Sequence, residues 1–232
     1  MEDIQEKKYD VLVIGAGAAG MRAAIAASDE GASVCLVSKS LLGKAHTVMA
    51  EGGAAAALGN ADERDNWKVH FRDTIKGGKH LNNWKMAKIH AEQAPERILE
   101  LERWGAVFDR TKDGKINQRN FGGHRYPRLA HVGDRTGLEI IRTVQDKVIH
   151  QDNIDIFMEC TVATIITEDN QAVGALAYYR NNGEIVAIHA KAIVVATGGI
   201  GKAYRVTSNS WEYTGDGHSL AYLAGADLQD ME

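Results

Sequence analysis

A short apolar run, Asp10 to Ile14 (DVLVI), ends at Gly15, as expected of a buried parallel strand. Met21 to Glu30 follows as an Ala-rich helix stopped by Gly31, and Ser33 to Val37 (SVCLV) as a second strand. From Asn66 to Trp104 the apolar positions change period. Trp67, Val69, Ile75, Trp84, Ile89, Ile98, Leu99 and Leu101 recur at helical spacing with a break around Gly77-Gly78, which predicts two or three helices beside the sheet. Arg110 to Arg135 loses that periodicity, contains Gly122-Gly123 and Pro127, and reads as an extended, loop-rich excursion. Thr136-x-x-Glu139 forms a capping-box pattern ahead of Ile140, Ile141 and Val144, so a helix is expected from about Gly137. Ile154 to Ile166, Ala172 to Tyr179 and Glu184 to Ala190 alternate like strands of a small antiparallel unit, the last two joined at Asn181-Asn182-Gly183. Ala192 to Ala196 (AIVVA) reads as a separate buried strand returning to the main sheet.

This order predicts an α/β fold: a Rossmann-like domain with a parallel sheet, flanking helices and a small antiparallel β unit. The expectation is one domain over 1–232 with a helical and loop-rich insertion at about 60–135. A chain of 232 residues, 44% apolar and 25% charged, has the composition of an ordinary soluble protein. Its net charge of -4 and pI near 6.1 argue against nucleic acid as a partner. The longest apolar stretch, Val11 to Ala27, is glycine-rich and interrupted by Arg22, so no membrane span is expected. The start, MEDIQEKKY, has neither the apolar core of a secretory signal nor the bias of a transit peptide. Cys35 and Cys160 read as buried thiols of a reducing compartment, and without a CxxC no iron–sulfur cluster or thiolate metal site is expected.

The chemistry starts at Gly15-x-Gly17-x-x-Gly20, placed after a strand and at the start of a helix as a dinucleotide site requires. Gly15 permits the turn, Gly17 lets the backbone approach a pyrophosphate, and Gly20 allows close helix–strand packing. The helix N-terminus, at Ala18 and Ala19, favours the phosphate charge. At the end of the second strand, where an NAD enzyme places an acidic residue on the ribose, this chain has Ser38-Lys39. That departure lowers the NAD reading. Lys39 suits a 2′-phosphate, so NADP stays open, as does a solvated loop lysine, and Ser38 can hydrogen-bond a ribose. His46 sits among Ala45, Thr47 and Ala50, small residues that leave room for a flat ring. Its neutral imidazole is a nucleophile able to attack an electrophilic methyl carbon of an isoalloxazine ring, although an isolated loop histidine can also serve only as a hydrogen-bonding residue. Ala196-Thr197-Gly198-Gly199 is either a backbone approach to a cofactor or a strand-terminal turn, and Asp216 either a cofactor contact or a helix cap.

The ordered series Val11 to Gly20, Ser38-Lys39, His46-Thr47-Val48 with Glu51-Gly52-Gly53, Gln118-Arg119 with Phe121-Gly122-Gly123, Asp134-Arg135-Thr136-Gly137, Ala196-Thr197-Gly198-Gly199 and Thr214-Gly215-Asp216-Gly217 resembles the flavoprotein subunits of succinate dehydrogenase and fumarate reductase across essentially the whole chain. The resemblance implies FAD, carried covalently by His46. It also implies cofactor contacts at Gly15, Gly17, Ala18, Ala19, Gly20, Ser38, Lys39, Thr47, Gly52, Gly53, Val162, Ala196, Thr197, Gly198 and Asp216. Gly52 and Phe121 would border the dicarboxylate, where Phe121 is otherwise most simply a core aromatic. Glu51 is given no substrate contact, since its charge would repel a dianion. L-aspartate oxidase is similar in fold but lacks the histidine.

The activity implied is interconversion of succinate and fumarate by hydride transfer at flavin N5. Electrons would leave through an iron–sulfur subunit, then through a membrane anchor at the cytoplasmic face of the bacterial inner membrane. The proton donor and the carboxylate clamps of such enzymes fall beyond Glu232, so no catalytic residue and no metal ligand is expected here. The chain reads as a truncated flavoprotein lacking the capping domain. A soluble L-aspartate oxidase-like enzyme and a stand-alone flavin-binding module are the alternatives.

Overall fold

The computed structural model describes residues 4–231, which form two compact units, one made of the residues up to 47 and from 144 onward and the other of residues 48–143. The first unit contains strands β1 (Gln5–Ile14), β2 (Val34–Val37), β6 (Ile154–Phe157), β7 (Cys160–Glu168), β8 (Gln171–Tyr179) and β9 (Ile185–Val195). They form one six-stranded sheet of order β6-β2-β1-β9-β8-β7. β1 pairs in parallel with β2 and β9, and β2 with β6, while β7, β8 and β9 pair antiparallel. α1 (Ala18–Asp29) follows the glycine turn and buries Met21, Ala24 and Ile25, one face at helical spacing. Gly31, at φ 84°, ends it, and Asn153 Nδ2 donates to the carbonyls of Ser28 (3.1 Å) and Ala32 (2.7 Å) near its end. Leu12, Ile14, Cys35, Val37, Val162, Val186 and Ile188 are the centre of one core cluster.

Several expected boundaries are corrected. The run Ile154 to Ile166 is two strands, because Glu159 takes a left-handed conformation (φ 53°) and turns the chain between them. β6 consequently joins the parallel part, and only β7 belongs to the antiparallel part. Glu184 to Ala190 and Ala192 to Ala196 are one continuous strand, β9, whose early residues pair with β8 on one side and with the unexpected early residues of β1 on the other. The antiparallel unit is therefore an extension of the main sheet.

In the second unit, the helical stretch resolves into two helices, α2 (Trp67–Gly77) and α3 (Trp84–Arg103). Asn66 and Asn83 cap them: each side-chain carbonyl accepts two amides of the first turn, at 3.0–3.3 Å for Asn66 and 3.1–3.3 Å for Asn83. The short strands β3 (Ala54–Ala55), β4 (Gln118–Arg119) and β5 (Leu129–Ala130) form a three-stranded antiparallel sheet of order β3-β5-β4, so the loop-rich excursion contains two of them. α4 (Thr136–Ile149) leads back toward β6. The capping box does not form: Thr136 Oγ1 accepts from Val132 N (3.1 Å), Glu139 N donates to Arg135 O, and the Glu139 carboxylate accepts from Val107 N and Arg142.

The excursion is anchored by a buried ion triad. Arg128, fully buried, donates to Asp65 (2.8 and 3.2 Å) and Asp73 (2.8 Å). His70 on α2, 3% exposed, has His90 at 5.2 Å and His124 at 6.3 Å between ring centroids. Burial first, then the Arg128 charge and the two neighbouring imidazoles, push the His70 pKa down from 6.5 to about 4, against the opposing pull of Asp73. The unfolded chain therefore takes up more protons than the folded one between these values, and stability falls as pH drops from 6.5 toward 4. Urea titrations across this window should show a loss of about 3 kcal/mol at most, and His70→Gln should flatten it. An equal pH dependence in the variant would exclude His70 as the cause.

Candidate functional site

The cleft of the first unit forms where β1, β2 and β9 end at the same level. Gly15 N donates to Val37 O (2.8 Å) and Ala196 N to Ile14 O (2.8 Å), which ties the glycine turn to strand ends on both sides. A Cβ on Gly15, at φ 110°, would lie 2.4 Å from Ala196 O, and one on Gly20 would lie 1.8 Å from Gly15 O. Both positions thus require glycine for backbone approach. Gly17 is the N-cap of α1 without a side-chain cap, and no acidic residue occupies the first turn. Among the described residues, Ala18 N reaches only Thr47 Oγ1, at 3.5 Å. An uncapped helix start with free amides is an anion site.

Of the residues expected at the cofactor, Gly15, Gly17, Ala18, Ala19, Ser38, Lys39, His46, Thr47, Val162, Ala196, Thr197, Gly198 and Asp216 all line this one cleft. Gly20 does not: it supports the turn from beneath. The cavity volume is about 220 Å³, below the roughly 300–1,000 Å³ of whole-ligand pockets. It would enclose one stretch of an extended dinucleotide and leave the rest in the open mouth.

Lys39 is neither a solvated lysine nor a cation free for a 2′-phosphate. Its Nζ donates to Asp216 Oδ2 (2.7 Å) and Thr214 Oγ1 (2.5 Å). Burial alone would raise the Asp216 carboxyl, but the Lys39 and Thr214 hydrogen bonds outweigh it and hold the pKa below the usual carboxylate value. Asp216 is the first residue of α5 (Asp216–Leu223), and Gly215 rather than Asp216 is its N-cap. The capping explanation of Asp216 is therefore corrected. Cys160 also lines the cleft, and burial pushes its thiol up to about 11, so it sits there as an apolar group.

His46 lies in a single helical turn, His46–Met49. Its Nδ1 accepts from Ser210 N (3.1 Å), and the Tyr213 ring stacks against it with centroids 4.4 Å apart. Nothing in the sequence singles out Ser210 or Tyr213. Only the adjoining Thr214-Gly215-Asp216-Gly217 hints that this loop matters.

Gly52, Gly53 and Phe121 belong to the second unit. Gly53, at φ 119°, needs glycine because a Cβ would lie 2.8 Å from Ala130 O. Arg119 holds the loop: its Nε donates to Gly52 O (2.7 Å) and its Nη2 to Glu51 O (2.5 Å), while Nη1 pairs with Asp134 (3.1 Å). Phe121 is 61% exposed, which removes the core-aromatic reading, and its ring lies 3.9 Å from where a Gly52 Cβ would stand. Among the described residues no group of three or more His, Cys, Asp or Glu is arranged to hold a metal ion.

Comparison with known proteins agrees with this geometry. The family model described as FAD binding domain matches residues 10–232. A fumarate reductase (CoM/CoB) protein of Methanothermobacter marburgensis is 43% identical over 224 residues, covering 96% of this chain and 41% of that protein. Among solved structures, the Mycobacterium smegmatis Sdh1 complex in the apo form is similar at 57% identity and TM-score 0.91, over 96% of this chain and 39% of its counterpart. A variant of the E. coli quinol fumarate reductase FrdA aligns at TM-score 0.94 with 37% identity, over 99% of this chain and 39% of its own. The chain spans about 40% of the length of these relatives.

The two inner glycines should separate in mutagenesis. Gly20→Ala forces a backbone clash and should destabilise the fold by more than about 2 kcal/mol in urea. At Gly17, φ is -79° and a Cβ would meet only Ala45 Cβ at 3.3 Å and Thr47 Oγ1 at 3.8 Å. Gly17→Ala should therefore fold with a near-wild-type midpoint yet bind FAD at least about tenfold more weakly. Wild-type affinity in Gly17→Ala, read by flavin fluorescence, would rule out cofactor approach at this residue.

Proposed function

The chain belongs to the FAD binding domain family, and we propose that it is the FAD-binding part of a succinate dehydrogenase or fumarate reductase flavoprotein subunit. The observation that carries this reading is one cleft that unites an uncapped helix start, a glycine turn tied to three strand ends, and a histidine whose Nε2 makes no hydrogen bond among the described residues. The cleft fits the group, since Gly15 leaves no room for a side chain beside Ala196 and Gly17, without a side-chain cap, leaves the first-turn amides of α1 bare toward the cleft. Bound there, FAD would supply two-electron chemistry, exchange of a hydride at flavin N5 with a methylene carbon in the interconversion of succinate and fumarate.

In this assignment the Ala18 and Ala19 amides and Gly17 hold the pyrophosphate, and α1 directs its positive end at that charge. Ser38 and the Lys39–Asp216 pair orient the ribose. Ala196, Thr197 and Gly198 offer backbone groups to the cofactor, and Val162 provides an apolar wall for the adenine. Thr47 lies beside the helix start and His46 is the covalent attachment point. Gly52, Gly53 and Phe121 form the loop and exposed ring offered to the flavin and the dicarboxylate, and no residue of the chain is assigned proton transfer. Electrons would pass to an iron–sulfur subunit, then to a membrane anchor at the cytoplasmic face of the bacterial inner membrane. No helix among the described residues is long and apolar enough to cross a membrane, so such association would rest on those partners.

The test is a denaturing gel of the FAD-loaded protein viewed for flavin fluorescence. The wild-type band should fluoresce, whereas His46→Ala should give a dark band while retaining FAD under native conditions. A dark wild-type band would overturn covalent attachment and favour a noncovalent flavoenzyme of the L-aspartate oxidase type.

A further inference from the structure

The His46 ring is constrained from two directions by one loop. Ser210 N–H donates to Nδ1 at 3.1 Å, so in the neutral imidazole Nδ1 is the unprotonated nitrogen and the proton sits on Nε2. The Tyr213 ring lies 4.4 Å from the imidazole, tilted by 37°. Tyr213 is itself seated on bare backbone. A Cβ on Gly198 would stand 2.4 Å from its Cε1, and one on Gly199 3.2 Å from its Cδ2 and Cε2. The loop is closed by Lys202 N donating to Tyr213 O (2.9 Å) and Tyr213 N to Ser210 O (3.2 Å). On its own segment His46 has only Ala45 and Thr47 as neighbours, side chains too small to stop an imidazole from turning.

We propose that Tyr213 is a positioning residue for His46: its ring, braced on Gly198 and Gly199, fixes the plane of the imidazole, so that with Nδ1 engaged by Ser210 N–H the nitrogen left to react with the flavin is Nε2, once its proton has left. This rests on the covalent reading above. In that step Nε2 gives up its proton, which frees the lone pair that the N–H form lacks, a bond forms between Nε2 and a methyl carbon of the isoalloxazine ring, and one C–H bond of that methyl breaks. The two electrons of that C–H bond reduce the flavin, which also takes up the methyl proton and the Nε2 proton. Dioxygen, as a two-electron acceptor, then returns the flavin to its oxidised form. Removing the ring leaves every reacting atom in place and costs only orientation, so attachment should slow without loss of cofactor binding.

The experiment follows acid-stable flavin over time after FAD is added to the apo full chain, for the wild type, Tyr213→Phe, Tyr213→Leu and Tyr213→Ala. Native gel filtration measures total bound FAD in each. Tyr213→Phe should attach flavin at close to the wild-type rate. The Leu and Ala variants should retain FAD on the column but attach it at least about fivefold more slowly, Leu serving as the variant that still covers Gly198 and Gly199. Attachment at the wild-type rate in the Ala or Leu variant would overturn the proposal while leaving covalent attachment intact, and a Phe variant as slow as Ala would replace the ring with the hydroxyl as the active feature and also overturn it. Absence of acid-stable flavin in the wild type would overturn the covalent reading and this one with it.

Discussion

Everything in the cleft depends on how closely the backbone of β1 approaches that of β9 at their C-terminal ends. Ile14 and Val195 are in register, Ala196 N bonds Ile14 O, and the next residue of β1, Gly15, comes so close to Ala196 that any side chain would enter its carbonyl. Because the turn is that tight, α1 starts immediately above the strand end, and Gly20 presses its backbone onto Gly15. The first-turn amides are then fixed at the mouth of the sheet, at the crevice outside the strand ends where α/β proteins bind ligands. A looser turn would preserve the sheet and lose the anion site.

The same logic explains the Gly215-Asp216-Gly217 segment. Gly215 adopts φ 82°, and a Cβ there would meet Ile200 Cγ1 at 2.7 Å; one on Gly217 would stand 1.9 Å from Thr197 Oγ1. The two glycines are thus packing residues that lay α5 against the 197–200 turn, and they bring the intervening Asp216 within reach of Lys39 at the end of β2. The pair is partly exposed, at 30% and 43% of side-chain area, so its worth as a stabilising salt bridge is small. Its larger consequence is electrostatic. A lysine whose charge is matched by a carboxylate presents a polar, nearly neutral edge to the cleft, which suits ribose hydroxyls better than a phosphate monoester.

What was legible in the sequence was what local spacing encodes. Strand, glycine turn, helix and second strand follow from contiguous residues, and the residues expected at the cofactor from that unit all line the cleft except Gly20. Pairing between distant segments was not legible. β6 joins β2 in parallel, yet its apolar run continues into β7 without a Gly or Pro, and the turn between them is made by Glu159 in a conformation unusual for its type. β9 looked like two strands because Lys191 interrupts its apolar pattern, whereas Lys191 lies exposed and pairs with Asp10 at 2.6 Å. Tyr213 and Ser210 were invisible for a further reason. Ser210 meets His46 across 164 positions of chain, and nothing in a polar loop announces that partner.

The loop carrying Gly52 and Gly53 owes its shape to polar interactions more than to regular structure, which explains how a segment so poor in secondary structure takes one conformation. β3, β4 and β5 contribute two residues each, too few to hold a sheet by themselves. The burial of Arg128 supplies what they lack: a fully buried guanidinium must be matched, and Asp65 ahead of α2 and Asp73 within it do so together. Arg128 is the residue immediately before β5, and its carbonyl accepts from Ala56 N, so the ion triad and the strand register constrain each other. Gly53 lies against Ala130 of that strand, and Arg119 of β4 grips the carbonyls of Glu51 and Gly52. Loss of Asp65 would remove two of the hydrogen bonds that hold the buried guanidinium and leave it to Asp73, loosening the foot of β5, so the Gly52-Gly53 loop would be disturbed through a residue that does not touch it.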